Sequence, residues 1–204
     1  MRTALPARLS ARVSAAAALA LIPAALVASA PAASAATAMA TRPASFTASA
    51  KSVPITSTVT FKAQAQQLRA KTWRATPGAT ATVWFDQDGA KANTAMRTIK
   101  ADAKGNFSTS FSASASGVWT IRLAPTATLQ ASTSAPIRVN VTIPASTRPA
   151  SGSWNCPSWA PIKGNASSHI YHVPGGRYYA KTKPEICFSS PAAAVRAGYR
   201  ASKA

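Results

Sequence analysis

The chain has 204 residues, of which 23 are Lys or Arg and only four are Asp or Glu, for a formal charge of +19. The four acids are Asp86, Asp88, Asp102 and Glu185, and only Asp86 and Asp88 lie close together. Chemistry that needs two carboxylates across one substrate is therefore disfavoured, as is dense calcium loading, which needs several oxygen ligands.

The first 35 residues read as a secretory signal peptide. Arg2, Arg8 and Arg12 form a basic n-region, an Ala-rich apolar stretch covers 15–30, and Ala33-Ser34-Ala35 offers small residues for cleavage after Ala35. The apolar stretch is interrupted by Pro23 and too weakly apolar to be retained as a membrane span. Cleavage would leave about 169 residues with 20 basic side chains against four acidic ones. Such a balance favours polyanionic partners: nucleic acid, teichoic-type polymers or anionic membrane surfaces. The cations are scattered from Arg42 to Lys203 with no run of three, so solubilisation alone is the competing reading. Residues 36–43 carry no pattern and are expected to be disordered.

From 44 to 143 the apolar residues alternate with period two, the signature of strands buried on one face. A weak first strand at 44–50 is followed by strands at 57–64, 79–86, 94–101, 106–113, 117–124 and 135–143. Val59 and Phe61 should point inward, as should Ile137, Val139 and Val141. Gly89 in "DQDGAK" and Gly105 in "DAKGNF" suit hairpin connections. The first of these starts like a calcium loop but lacks the later acidic ligands, so it reads as a turn. About seven short strands predict an antiparallel β-sandwich. On "LRAKTWRATPGATATVWFDQDG", "DAKGNFSTSF" and "SGVWTIRLA", this region resembles the immunoglobulin-like modules of secreted bacterial proteins. The resemblance places Trp73, Trp84 and Trp119 in the core or on a sheet face, with an exposed aromatic surface for carbohydrate as the alternative. A sandwich scaffold by itself assigns no function.

Residues 144–153, "PASTRPASGS", read as a semi-flexible linker. In the small α+β module expected at 154–204, "PIKG" ends in a glycine turn. The segments 169–173 and 177–181 then form a hairpin through Pro174-Gly175-Gly176. A short helix follows, with Ser190 as N-cap, Pro191 at the first position and Gly198 at the exit. A piece of about 50 residues is marginal without a staple. Its two cysteines, Cys156 and Cys187, admit two readings: a disulfide, the default for an exported protein with an even cysteine count, or a zinc site made by Cys156, Cys187 and His172, with His169 as a further candidate. His169 and His172 stand three apart and would point to opposite faces of a strand. A Cys187–His172–Glu185 triad is conceivable only if the thiol is free.

The frame G-N-x-x-S-x-x-Y-H-x-P-G-x-x-Y-Y, then K-P-E-x-C-F, then A-G-Y-R is carried by Gly164, Asn165, Ser168, Tyr171, His172, Pro174, Gly175, Tyr178, Tyr179, Lys183, Pro184, Glu185, Cys187, Phe188, Ala197, Gly198, Tyr199 and Arg200. It resembles the sunset domain of actinobacterial proteins. More distantly it is similar to the zinc-binding domain of Ada-type DNA-repair proteins and to the tail of thermonuclease-like enzymes. In the Ada-type site a cysteine follows the P-G pair and four thiolates hold the metal. Here Gly176 occupies that place, so neither the metal nor the methyl-transfer chemistry carries over. No cofactor is expected.

His172, Arg177, Tyr178, Tyr179, Lys181 and Lys183 set cations beside flat rings, a mixture suited to holding phosphate while stacking on bases or sugars. The competing reading makes Tyr171, Tyr178 and Phe188 the core of the module and its cations a solvated face. The expected function is a secreted, non-enzymatic binding protein of the cell envelope or exterior that favours polyanions. A structural or adhesive sandwich contacting protein or glycan is the first alternative, and a Cys/His zinc module the second.

Overall fold

The computed structural model describes residues 37–89 and 92–203; the expected signal peptide lies outside the described residues. The chain is mainly β. An immunoglobulin-like β-sandwich is followed by a small disulfide-closed α+β module.

The sandwich is built from β1 (Thr41–Ala48), β2 (Ser52–Pro54), β3 (Thr58–Arg69), β4 (Thr72–Ala75), β5 (Thr80–Gln87), β6 (Thr94–Lys100), β7 (Asn106–Ser112), β8 (Gly117–Leu123), β9 (Ser132–Thr133) and β10 (Ile137–Thr142). One sheet is organised around the long β3, which pairs with β1 along one edge and with β7 and β4 along the other. The other runs β2-β10-β8-β5-β6, with β9 also on β8. Pairing is antiparallel except between β2 and β10. Period-two alternation sends Val59, Phe61, Ala63 and Ala65 of β3 against Ala81, Val83 and Phe85 of β5 and Trp119, Ile121 and Leu123 of β8. Trp119 is the hub, with ring centroids of Phe85 at 4.4 Å, Phe61 at 4.6 Å and Phe111 at 5.1 Å. Val139 is buried, and Ile137 and Val141 pack against the same core.

Three local features follow from the sequence. Asp102 accepts from the backbone N–H of Lys104 and Asn106, both at 2.8 Å, and those bonds hold its carboxyl below the usual range. Arg97 projects inward from the edge strand β6, donates to Thr109 Oγ1 at 2.9 Å and lies over the Phe111 ring, closing that side of the sandwich. At the β3–β4 hairpin, Arg69 pairs with Thr72 and the two loop residues, Ala70 and Lys71, have φ of 45° and 64°. Both loop residues thus take the left-handed conformation of a type I′ turn, where Asn-Gly is preferred. Ala70→Asn with Lys71→Gly is expected to stabilise the sandwich by about 1–2 kcal/mol, measured as a higher urea midpoint at unchanged m-value.

The terminal module consists of β11 (Ser146–Thr147), β12 (Ile162–Asn165), β13 (Ile170–His172), β14 (Ile186–Phe188), α1 (Pro191–Arg196) and β15 (Arg200–Ala201), with sheet order β11-β14-β12-β13-β15. Ser190 Oγ accepts from Ala193 N at 3.1 Å and Pro191 opens the helix. Gly198, at φ +84°, turns the chain back. Ala193 and Ala194 bury themselves against Ile162 and Phe188, flanked by Tyr171, Ile186 and Tyr199. Gly164 is required here: a Cβ would stand 2.6 Å from Ile186 Cγ2 and 2.7 Å from Phe188 Cε2.

Four sequence expectations differ from this arrangement. Residues 177–181 do not pair with 169–173. Both edges of β13 are taken, by β12 on one side and β15 in parallel on the other, and 176–182 instead forms successive turns. "PIKG" is not a turn, because Ile162, Lys163 and Gly164 belong to the central strand β12. Ser146 and Thr147, inside the expected linker, pair with Phe188 and Cys187. Finally, the stretch expected to be disordered is ordered from Met39, whose N–H donates to Thr128 O at 2.8 Å, and Thr41 already begins β1, its hydroxyl donating to Gln130 O.

Candidate functional site

Alternation in the small sheet separates two faces. Ile162, Gly164, Ile186, Phe188 and Tyr171 belong to the helix side, whereas Lys163 stands between its cross-strand partners Cys187 and His172 on the other. That second face carries the chemistry.

Cys187 is fully buried and bonded to Cys156, with the Cα atoms 5.6 Å apart. The disulfide tethers the segment that carries Trp154 to the sheet. The hydrogen bonds of that segment around Trp154 are its own: Ser153 N to Ala150 O, Asn155 N to Ser153 Oγ, and Ser153 Oγ to Asn155 O, each 2.9 Å. The indole of Trp154 remains exposed.

Lys163 is 2% exposed. Its ammonium donates to Tyr179 O at 2.9 Å and Thr182 O at 3.1 Å and lies 4.3 Å from the centroid of the Tyr179 ring. The Tyr179 hydroxyl in turn donates to Pro161 O at 2.8 Å. The 176–182 turns are thus folded over a buried cation held by carbonyls and a ring face instead of a carboxylate. Burial lowers the pKa of Lys163. Burial, and secondly the positive charge of Lys163, also lower that of His172.

Beside this cation runs a groove of about 530 Å³, lined by Trp154, Asn165, Ser168, His172, the chain from Lys181 to Pro184, and Glu185. Asn165 is fixed by its own turn: its Oδ1 accepts from Ser167 Oγ, Ser168 N and Ser168 Oγ at 2.8–2.9 Å. The Glu185 carboxylate accepts from Ala166 N. Neither Lys181 nor Lys183 is ion-paired; among the described residues the ion pair is Arg138–Asp88, at 2.6 Å. The groove therefore presents two unpaired ammonium groups, an imidazole and an indole against one carboxylate.

Of the six residues expected to bind a ligand, His172, Lys181 and Lys183 come together in this groove. Tyr179 faces inward to Lys163, while Arg177 and Tyr178 stack on each other at 5.4 Å, outside the lining. Trp154, Asn165, Ser168 and Lys163 are additions. The G-N-x-x-S string could have announced the Asn165 turn, but nothing in the sequence distinguishes Lys163 from a surface lysine.

The alternative chemistries are not assembled. Both sulfurs are consumed in the disulfide, so the Cys156–Cys187–His172 metal set and the Cys187–His172–Glu185 triad lose their thiolates. His169, on a backbone of φ +52°, packs its ring on Tyr199 at 5.0 Å instead of joining His172. On the sandwich, Trp84 and Trp119 do not share an exposed face. Trp119 is core, while Trp84 pairs across to Thr120 and lies on the opposite side under Arg122. Trp73 is likewise covered by Arg42.

Comparison with known proteins adds little to this geometry. Superoxide reductase (neelaredoxin) from Ignicoccus hospitalis is 10% identical over 50% of this chain and 82% of its own, with a TM-score of 0.37. A β-glucosidase from Listeria innocua is 8% identical over 50% of this chain and 16% of its own, with a TM-score of 0.27. Likeness at this level carries no argument. No curated protein matches the chain. A protein-family model described as ArfC matches residues 141–201, so the segment from the end of β10 through β15 is similar to that family.

Proposed function

We propose that the chain is a secreted, non-enzymatic binding protein of the cell envelope or exterior that holds a polyanion, nucleic acid or an anionic wall polymer, in the groove of its terminal module. The observation that carries this reading is the placement of Lys181, Lys183 and His172, without carboxylate partners for the lysines, beside the exposed ring of Trp154. Lysines so placed can neutralise phosphates while an indole stacks on a flat group. The leader at 1–35 supports export, and the sunset-like frame at 164–200 and the immunoglobulin-like sandwich fit a protein built for contact outside the cell. The fold accounts for much of that frame: Gly164 allows close packing, Asn165 and Ser168 make a turn, and Cys187 forms the bond. Lys183 remains for a ligand.

The test is a titration of the mature chain with a 20-nucleotide single strand and, separately, with poly(glycerol phosphate), followed by Trp fluorescence over a range of salt. Binding should weaken with salt. Lys181→Gln/Lys183→Gln should reduce the slope of log K against log salt by about 1.4 for the single strand. His172 supplies a second signature. Its folded pKa lies below the ordinary 6.5, so the unliganded fold resists protonation, and its contribution to stability is complete above that value and lost as pH falls below it. A bound anion favours the imidazolium, so binding should tighten as pH drops through the same window and be accompanied by proton uptake. Salt-independent binding of both polymers, or an unchanged slope in the double variant, would rule the groove out.

A further inference from the structure

A second site lies on the sandwich, unrelated to the terminal groove. Thr98, Thr82, Arg122 and Thr133 stand side by side across β6, β5, β8 and β9. Strand alternation places their side chains on the face turned away from the core. Trp84 shares that face, diagonal to Arg122, and the guanidinium carbon lies 4.3 Å from its ring centroid. The indole covers one side of the guanidinium. Arg122 makes no hydrogen bond or ion pair with any described residue. An unpartnered fork of donors matches a carboxylate.

A groove of about 350 Å³ opens beside this pair, with Thr82 and Thr133 contributing hydroxyl-bearing residues and Ala124 and Ala131 apolar walls. Its charge pattern is unlike that of the terminal groove. One cation among hydroxyls and small apolar surfaces suits a ligand with a single negative charge on a ring rich in hydroxyls and C–H. A phosphodiester chain, charged at every repeat, would call for several cations.

We infer that this face binds a glycan bearing uronic acid. The carboxylate takes the Arg122 fork, the ring hydroxyls meet Thr82 and Thr133, and the C–H face of the pyranose packs on Trp84, Ala124 and Ala131. The Arg–Trp stack is then a receptor as well as a cover for an outward-facing indole.

The experiment is calorimetric titration of the mature chain with a glucose oligosaccharide carrying one glucuronate residue and with the neutral glucose oligosaccharide of the same length. Saturable binding of the glucuronate alone is expected. Arg122→Gln should weaken it at least about tenfold, and Arg122→Lys, which keeps the charge but loses the fork, should weaken it measurably too. Near-UV circular dichroism of both variants establishes that the sheet is intact. Lys181→Gln/Lys183→Gln should leave glucuronate binding unchanged, which separates this inference from the reading of the terminal groove. Absence of saturable binding, equal binding of the neutral sugar, full retention in Arg122→Gln, or loss in the Lys181/Lys183 variant would each overturn it.

Discussion

Replacing Cys156 and Cys187 together with alanine is expected to lower the stability of the terminal module by about 3–4 kcal/mol. The bond closes a loop of 31 residues, and the entropy it removes from the unfolded chain is large beside what so small a core can supply. Ile162, Phe188, Ala193 and Ala194 are the fully buried apolar side chains of that cluster. A module of this size without a staple is marginal. The sandwich has its own core, which shares no residue with this one. Calorimetry of the variant should therefore show the module's transition shifted far down or lost and the sandwich transition in place. Added thiol reductant should reproduce the effect in the unaltered protein. If the module melts at the same temperature with and without the bond, the disulfide is incidental and Trp154 is held by something else.

The complementary substitution is Trp119→Ala. Its indole touches Phe61 and Phe111 from one sheet and Phe85 from its own, and only 5% of the residue is exposed. Truncation leaves a cavity where both sheets meet, at a cost of about 3–5 kcal/mol. Here the sandwich transition should fall while the disulfide-closed module keeps its own. A loss below about 1 kcal/mol would mean that the sheets collapse onto the space. A concerted shift of both transitions would mean that the two parts fold as one.

Much of the sandwich was legible because its signal is redundant. Each of the seven expected strands overlaps an observed one, since six or more residues of alternation survive an error of two at either end. The strands that escaped notice, β2, β4 and β9, have two to four residues, too few for a period to declare itself. In the terminal module the local signals were sound but their partners were not. The cap at Ser190 and the exit at Gly198 depend on neighbours in sequence. The pairing of β13 depends on Lys163 and on Arg200, from opposite ends of the module. Pro174-Gly175-Gly176 looked like a hairpin loop because proximity in sequence was the only guide.

The candidate groove was half visible for the same reason. Lys181 and Lys183 stood out as cations near rings, and His172 as one of only two histidines. Trp154, the first residue of the expected module and set between Ser153 and Asn155, carries no signal of a site in the sequence; the disulfide two residues later holds its segment beside the groove. Lys163 illustrates the limit most clearly: in "PIKG" it is an ordinary cation, and only the 176–182 turns, folded across it, make it a buried one.

The pairing of Ser146 and Thr147 with β14 bears on where this chain can be divided. Three residues separate the last sandwich strand from the first strand of the terminal sheet. A fragment begun at residue 154 would strip β11 from β14 and leave the backbone of Cys187 and Phe188 as an open edge, ready to recruit a foreign strand. The portable unit starts near Ala145, whose carbonyl already accepts the N–H of Ser189, and the apparent spacer is in fact its outermost seam.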